Sequence, residues 1–136
     1  MESRIINYTI CRSSLVFIWF YHGLIPKLLG PHSDEIAMNM AAGFNESQAI
    51  TVAYVGGVGE IMFGLMMLIL WRQRWPLLLS AALMVGLLFF AITFYPILAL
   101  SAFNPVTTNI CVFCLSIVAY RLHNHVPSSR GHGVID

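Results

Sequence analysis

Glu60 stands in the middle of an apolar run, and an acid in that setting needs a partner or a purpose. The stretch best suited to supply one is Trp19–Leu29, W-F-Y-H-G-L-I-P-K-L-L, which places His22, Gly23, Pro26 and Lys27 within about a turn and a half of helix. Pro26 has no N–H, so the carbonyl of His22, four residues earlier, loses its helical partner. An imidazole, a freed carbonyl and a buried carboxylate make a polar pocket in which a proton can be shared. Depth ranks the partners. At about 1.5 Å per residue, Glu60 lies roughly 16 Å from the outer start of its helix, His22 roughly 10 Å in, and Lys27 only about 3 Å in. The expected direct pair is therefore His22–Glu60. Lys27 is expected at the outer lip, as a snorkelling anchor or a contact for an anionic headgroup or ligand.

A second constellation is Cys111-Val112-Phe113-Cys114, whose thiols are neighbours on a helix and could be bridged in an oxidising space. Both lie beyond the first turn, where the helix terminus no longer lowers a thiol pKa, and Cys11 falls on the opposite side. Asn104 and Asn109 are placed to cap the last helix and to bond across helices, with Asn109 also a candidate ligand contact. His123 and His125 could form a weak metal pair, but no third ligand accompanies them, so no metal site is expected. There is no phosphate-binding glycine loop and no Ser/His/Asp arrangement.

The elements that must hold these residues are membrane helices. The chain has 136 residues, 58% hydrophobic and only 10% charged, a surplus of apolar surface that lipid must cover. The net charge of +1 argues against nucleic acid as a partner. The expected fold is an all-α integral membrane bundle with four spans, at about residues 13–29, 49–70, 77–100 and 106–122, and a disordered tail over 123–136. Arg12 is expected to snorkel at the first span's inner end. A short surface helix fits the His32–Asn45 connection, with Asp34 and Glu35 in its first turn and Gly43 at its close. Asn45 and Gln48 form a capping-box pattern before the second span. Gly56, Glu60 and Gly64 share one face of it, as small residues do where helices approach closely. Pro76 opens the third span and Pro96 bends its far end. With four spans the arginines (Arg4, Arg12, Arg72, Arg74, Arg121, Arg130) share one side and Lys27, Asp34, Glu35 and Glu46 the other, which puts both termini in the cytoplasm.

The Trp19–Leu29 segment, the G-x-x-E at Gly57–Glu60, the W-P opening the third helix and N-P-V-T-T-N at Asn104–Asn109 together resemble the DoxX-like family, over about Ser13–Tyr120. The resemblance implies a four-helix, multi-pass protein of the bacterial inner membrane. It also implies kinship with a wider group that includes membrane subunits of thiosulfate:quinone oxidoreductases and members linked to thiol-redox complexes. His22, Gly23, Pro26, Lys27, Glu60, Asn104 and Asn109 match its recurring polar positions, whereas Cys111 and Cys114 depart from it.

Three functions are consistent with these residues. The leading one is a redox accessory or quinone-associated subunit, built around Glu60 and His22 and working with a soluble or membrane oxidoreductase. The second is a scaffold or small-solute carrier in which the polar residues fix helix register. The third is thiol–disulfide exchange through Cys111 and Cys114. The small residues of the second helix also suit a homodimer.

Overall fold

Capping and proline positions divide the chain into its elements. The computed structural model describes residues 2–102 and 104–123 and contains five α-helices. Helix α1 spans Glu2–Gly23 and runs directly into a π-helical turn at Leu24–Leu28. Helix α2 is short, Ser33–Ala41, and α3, α4 and α5 span Glu46–Ile69, Trp75–Phe94 and Pro105–Leu122. The expected tail beyond His123, including His125, lies outside the described residues.

The starts of α3, α4 and α5 have visible causes. The Asn45 side chain accepts from the Gln48 backbone N–H at 2.9 Å while Gln48 Oε1 accepts from the Asn45 N–H at 3.1 Å, so the capping box before α3 is complete. Pro76 lies in the first turn of α4, and Asn104 Oδ1 accepts from Thr107 N–H at 3.0 Å ahead of Pro105 in α5. The connection from α1 to α3 contains the expected surface helix. It is flanked by Gly30 at φ 136° and Gly43 at φ 103°, backbone conformations that suit glycine.

Two elements differ from the expected spans. The third does not bend at Pro96 but stops at Phe94, because Pro96 disfavours helical backbone at Tyr95 and has no N–H to continue the ladder. A 3₁₀ turn over Pro96–Leu100 follows. The first helix begins at Glu2, about three turns before Ser13. That extension carries Arg12 alongside the α3–α4 turn and buries it completely. Arg12 does not snorkel. Its guanidinium donates to the carbonyls of Met67, Leu70 and Gln73 at 2.7–3.2 Å and to the Tyr8 hydroxyl at 2.8 Å. A cation here closes off the electron-rich C-terminal carbonyls of α3. Tyr8 in turn donates to Trp71 O at 2.6 Å, and His123 packs edge-on against Tyr8 with its Nε2 2.8 Å from Arg72 O. The start of α1, the α3–α4 turn and the end of α5 therefore meet at one end of the bundle.

Across the middle, Trp19 Nε1 donates to Ser80 Oγ at 3.1 Å, and the Ser80 and Ser116 hydroxyls are hydrogen-bonded at 3.0 Å, tying α1, α4 and α5 together. Around this core the outward faces carry exposed large apolar side chains such as Phe17, Val55, Met62, Ile69 and Phe89, a surface made for lipid. Helices α3, α4 and α5 are each long and apolar enough to cross a membrane; α1, polar in its first half, is not among the three.

Candidate functional site: a buried ion pair between two cavities

Where α1 meets α3 the backbones touch. A β-carbon on Gly23 would lie 2.6 Å from the Gly57 carbonyl oxygen, and one on Gly57 would lie 2.7 Å from the Gly23 oxygen. The approach depends on having no side chain at either position. Immediately beyond it, Pro26 removes one donor from the helical ladder, and the chain widens so that Leu29 N–H bonds Leu24 O, five residues back, at 2.9 Å. His32 N–H takes the Pro26 carbonyl at 2.8 Å.

The wide turn swings Lys27 inward. Only 9% of the residue is exposed, its β-carbon lies against Gly57, and its Nζ lies beside Gly56. Nζ reaches Glu60 Oε1 at 2.6 Å, with both side chains about 11% exposed. The geometry corrects the expected His22–Glu60 pair. Depth counted along a straight helix leaves Lys27 at the surface, but the opened turn and the glycines of α3 give its long side chain an inward route. Among the described residues no hydrogen bond joins His22 to Glu60.

Glu60 is left half satisfied. Its Oε2 is buried and has no hydrogen-bond partner among the described residues. Lys27 also has a second carboxylate nearby, Glu35 Oε1 of α2 at 3.8 Å. Burial is the main cause that raises the Glu35 pKa from its ordinary value; Lys27 opposes the shift and the Glu60 charge adds to it. Asn39 pins α2 over the site by donating to Ala49 O at 3.1 Å.

Three cavities meet at Glu60. One, of about 250 Å³, is polar, with His22, Lys27, Glu35, Asn104, Thr108 and Asn109 among its lining. Another, of about 500 Å³, is mainly apolar, bounded by Val52, Phe63, Leu83, Leu87 and Phe90. The third, about 30 Å³ between His22, Glu60, Thr108 and Asn109, has room for a single water. His22 and Asn109 are thus brought to the site as cavity walls. Asn109 does not make the expected bond across helices, since its side chain has no hydrogen-bond partner among the described residues.

Cys111 and Cys114 are free thiols on the exposed side of α5, while Val112 between them is buried and lines the small cavity. Glu35 escapes a reading of single helices because it reaches Lys27 only once α2 folds back over α3. The adjacent Gly56-Gly57 pair, one turn before Glu60, is the signal in the chain that room exists for a long side chain there.

No curated protein and no solved structure matches the chain. A family model described as the DoxX-like family matches residues 16–117, a range that takes in His22, Lys27, Glu60, Asn109 and all the cavity walls. With that match spanning most of its length, and with helices long and apolar enough to cross the bilayer, the chain belongs to the DoxX-like family of multi-pass membrane proteins.

Proposed function

We propose that the protein is a membrane redox accessory subunit that holds a quinone-type ligand at the Lys27–Glu60 pair. One observation carries the reading. A buried carboxylate with an unpaired oxygen stands where a polar cavity of about 250 Å³ adjoins an apolar one of about 500 Å³. Ligand sites in general combine an apolar enclosure of that size with a few placed polar groups. An amphiphile of matching shape would lay its ring and tail among Phe63, Leu83, Leu87 and Phe90 and turn its head toward Glu60 and Lys27.

The same geometry supports an arrangement in the membrane. Helix α1 with its π turn is the fourth span beside α3, α4 and α5, and α2 lies on the outer surface as the roof of the site. The Arg12 end, with the start of α1, the end of α5 and the α3–α4 turn, faces the cytoplasm by the charge rule. In a bacterial inner membrane this opens the site toward the outer half of the bilayer. A soluble or membrane oxidoreductase would supply or remove the electrons.

Purification in mild detergent followed by mass spectrometry of co-purifying small molecules tests the proposal. A quinone-sized apolar molecule is expected with the wild type and is expected to be depleted in a folded Glu60→Gln variant. Repeated preparations free of any such molecule, with an unchanged cellular phenotype for Glu60→Gln, would contradict it.

A further inference from the structure

The polar groups around Glu60 are unbalanced, and the imbalance says which kind of head the site takes. Lys27 brings one positive charge, and the Glu60 and Glu35 carboxylates facing it bring two negative ones. Lys27 Nζ donates to Glu60 Oε1 at 2.6 Å, while Glu35 Oε1, at 3.8 Å, lies outside hydrogen-bond range. As the carboxylate of an ion pair, Glu60 only accepts hydrogen bonds, and Oε2 has no donor among the described residues. A buried acceptor without a donor is a cost that a ligand carrying a donor removes and a ligand carrying only acceptors does not. His22, Thr108 and Asn109 can donate or accept, so they adapt to either kind of head. Glu60 Oε2 cannot.

We infer that the site selects an apolar-bodied ligand whose head donates a hydrogen bond, a phenolic or hydroquinone hydroxyl, over the carbonyl head of the corresponding quinone. The inference rests on the ligand-binding reading above and adds a preference for the reduced form. The hydroxyl donates to Glu60 Oε2, the ring lies beside Leu87, which lines the polar and apolar cavities alike, and the tail enters the space bounded by Phe63, Leu83 and Phe90. A hydrogen bond to a charged group is worth about 1.5–3 kcal/mol, which corresponds to roughly 10- to 150-fold in affinity.

Three probes of one shape separate the possibilities: a short-chain benzoquinol kept reduced, its quinone, and its dimethyl ether, which has no donor. Binding to the full chain in nanodiscs is expected to favour the quinol by at least about 10-fold over the other two. In Glu60→Gln the three affinities should converge to within a few-fold. Leu87→Trp, which narrows the cavity without touching the ion pair, should weaken all three alike, and it provides the location test if Glu60→Gln does not fold. Wild-type affinity for the quinone equal to or above that for the quinol overturns the preference and leaves the ligand-binding reading standing. Failure of all three to bind the wild type removes both. A Leu87→Trp protein that binds every probe as the wild type does places the ligand elsewhere and overturns the inference.

Discussion

Removing Lys27 alone should damage the fold more than removing the whole ion pair. In Lys27→Met the stem that passes Gly57 is largely preserved in shape, but Glu60 keeps a buried carboxylate with neither oxygen paired among the described residues. Breaking a buried pair from one side costs about 3–5 kcal/mol in general. The adjoining polar cavity allows some hydration, so a loss of about 3 kcal/mol is expected here, or roughly 12 °C in Tm at about 4 °C per kcal/mol for a chain of this size. In the double variant Lys27→Met/Glu60→Met no stranded charge remains, and stability should return to within about 1 kcal/mol of the wild type. The coupling energy of the cycle is then about 2 kcal/mol or more. Thermal unfolding in one detergent, followed by tryptophan fluorescence with Trp19 in the core, measures all four proteins. If each single variant shifts Tm by no more than about 2 °C and the double is their sum, Lys27 faces water in the membrane and the reasoning fails.

Other consequences are as definite. Gly57→Ala should destabilise by about 1–3 kcal/mol, because its β-carbon would meet the Gly23 carbonyl oxygen at 2.7 Å; Gly59→Ala, with nothing within 4 Å, should be neutral or slightly stabilising in the same unfolding assay. Arg12→Lys keeps the charge but cannot reach three carbonyls and a hydroxyl with a forked donor, and should cost about 2–4 kcal/mol by thermal unfolding. The raised pKa of Glu35 means that the folded protein binds this proton more tightly than the unfolded chain. Its contribution is full below the ordinary carboxylate range and is lost as pH rises through the raised value, so Tm should fall across that window. Glu35→Gln should flatten the slope, and an unchanged pH profile would count against the burial of Glu35.

The helix starts were legible because their causes are local. Asn45 with Gln48, Pro76 behind Trp75, and Asn104 with Pro105 act within one turn, and α2 follows from its acidic first turn and the closing Gly43. The partner of Glu60 was not legible, because it depends on two distant segments meeting. A proline that opens a π turn and a glycine-to-glycine contact between α1 and α3 together let Lys27, and not His22, reach Glu60. Arg12 was misplaced for a related reason. Its position at the edge of the apolar run suggests an interface, but the helix continues outward, and the unpaired carbonyls at the end of α3 and in the turn beyond it draw the guanidinium inside. In both cases a residue type was read from its own helix while its environment is made by another.

Locating a bound ligand tests the central claim most directly. A photoreactive short-chain quinone can be cross-linked to the protein in nanodiscs and the adducts mapped by peptide mass spectrometry. The account predicts labelling of α3 between Val52 and Phe63 and of α4 between Leu83 and Phe90, suppressed by excess non-reactive quinol. Labelling confined to lipid-facing residues such as Phe17, Ile69 and Leu100, and indifferent to the competitor, would contradict it.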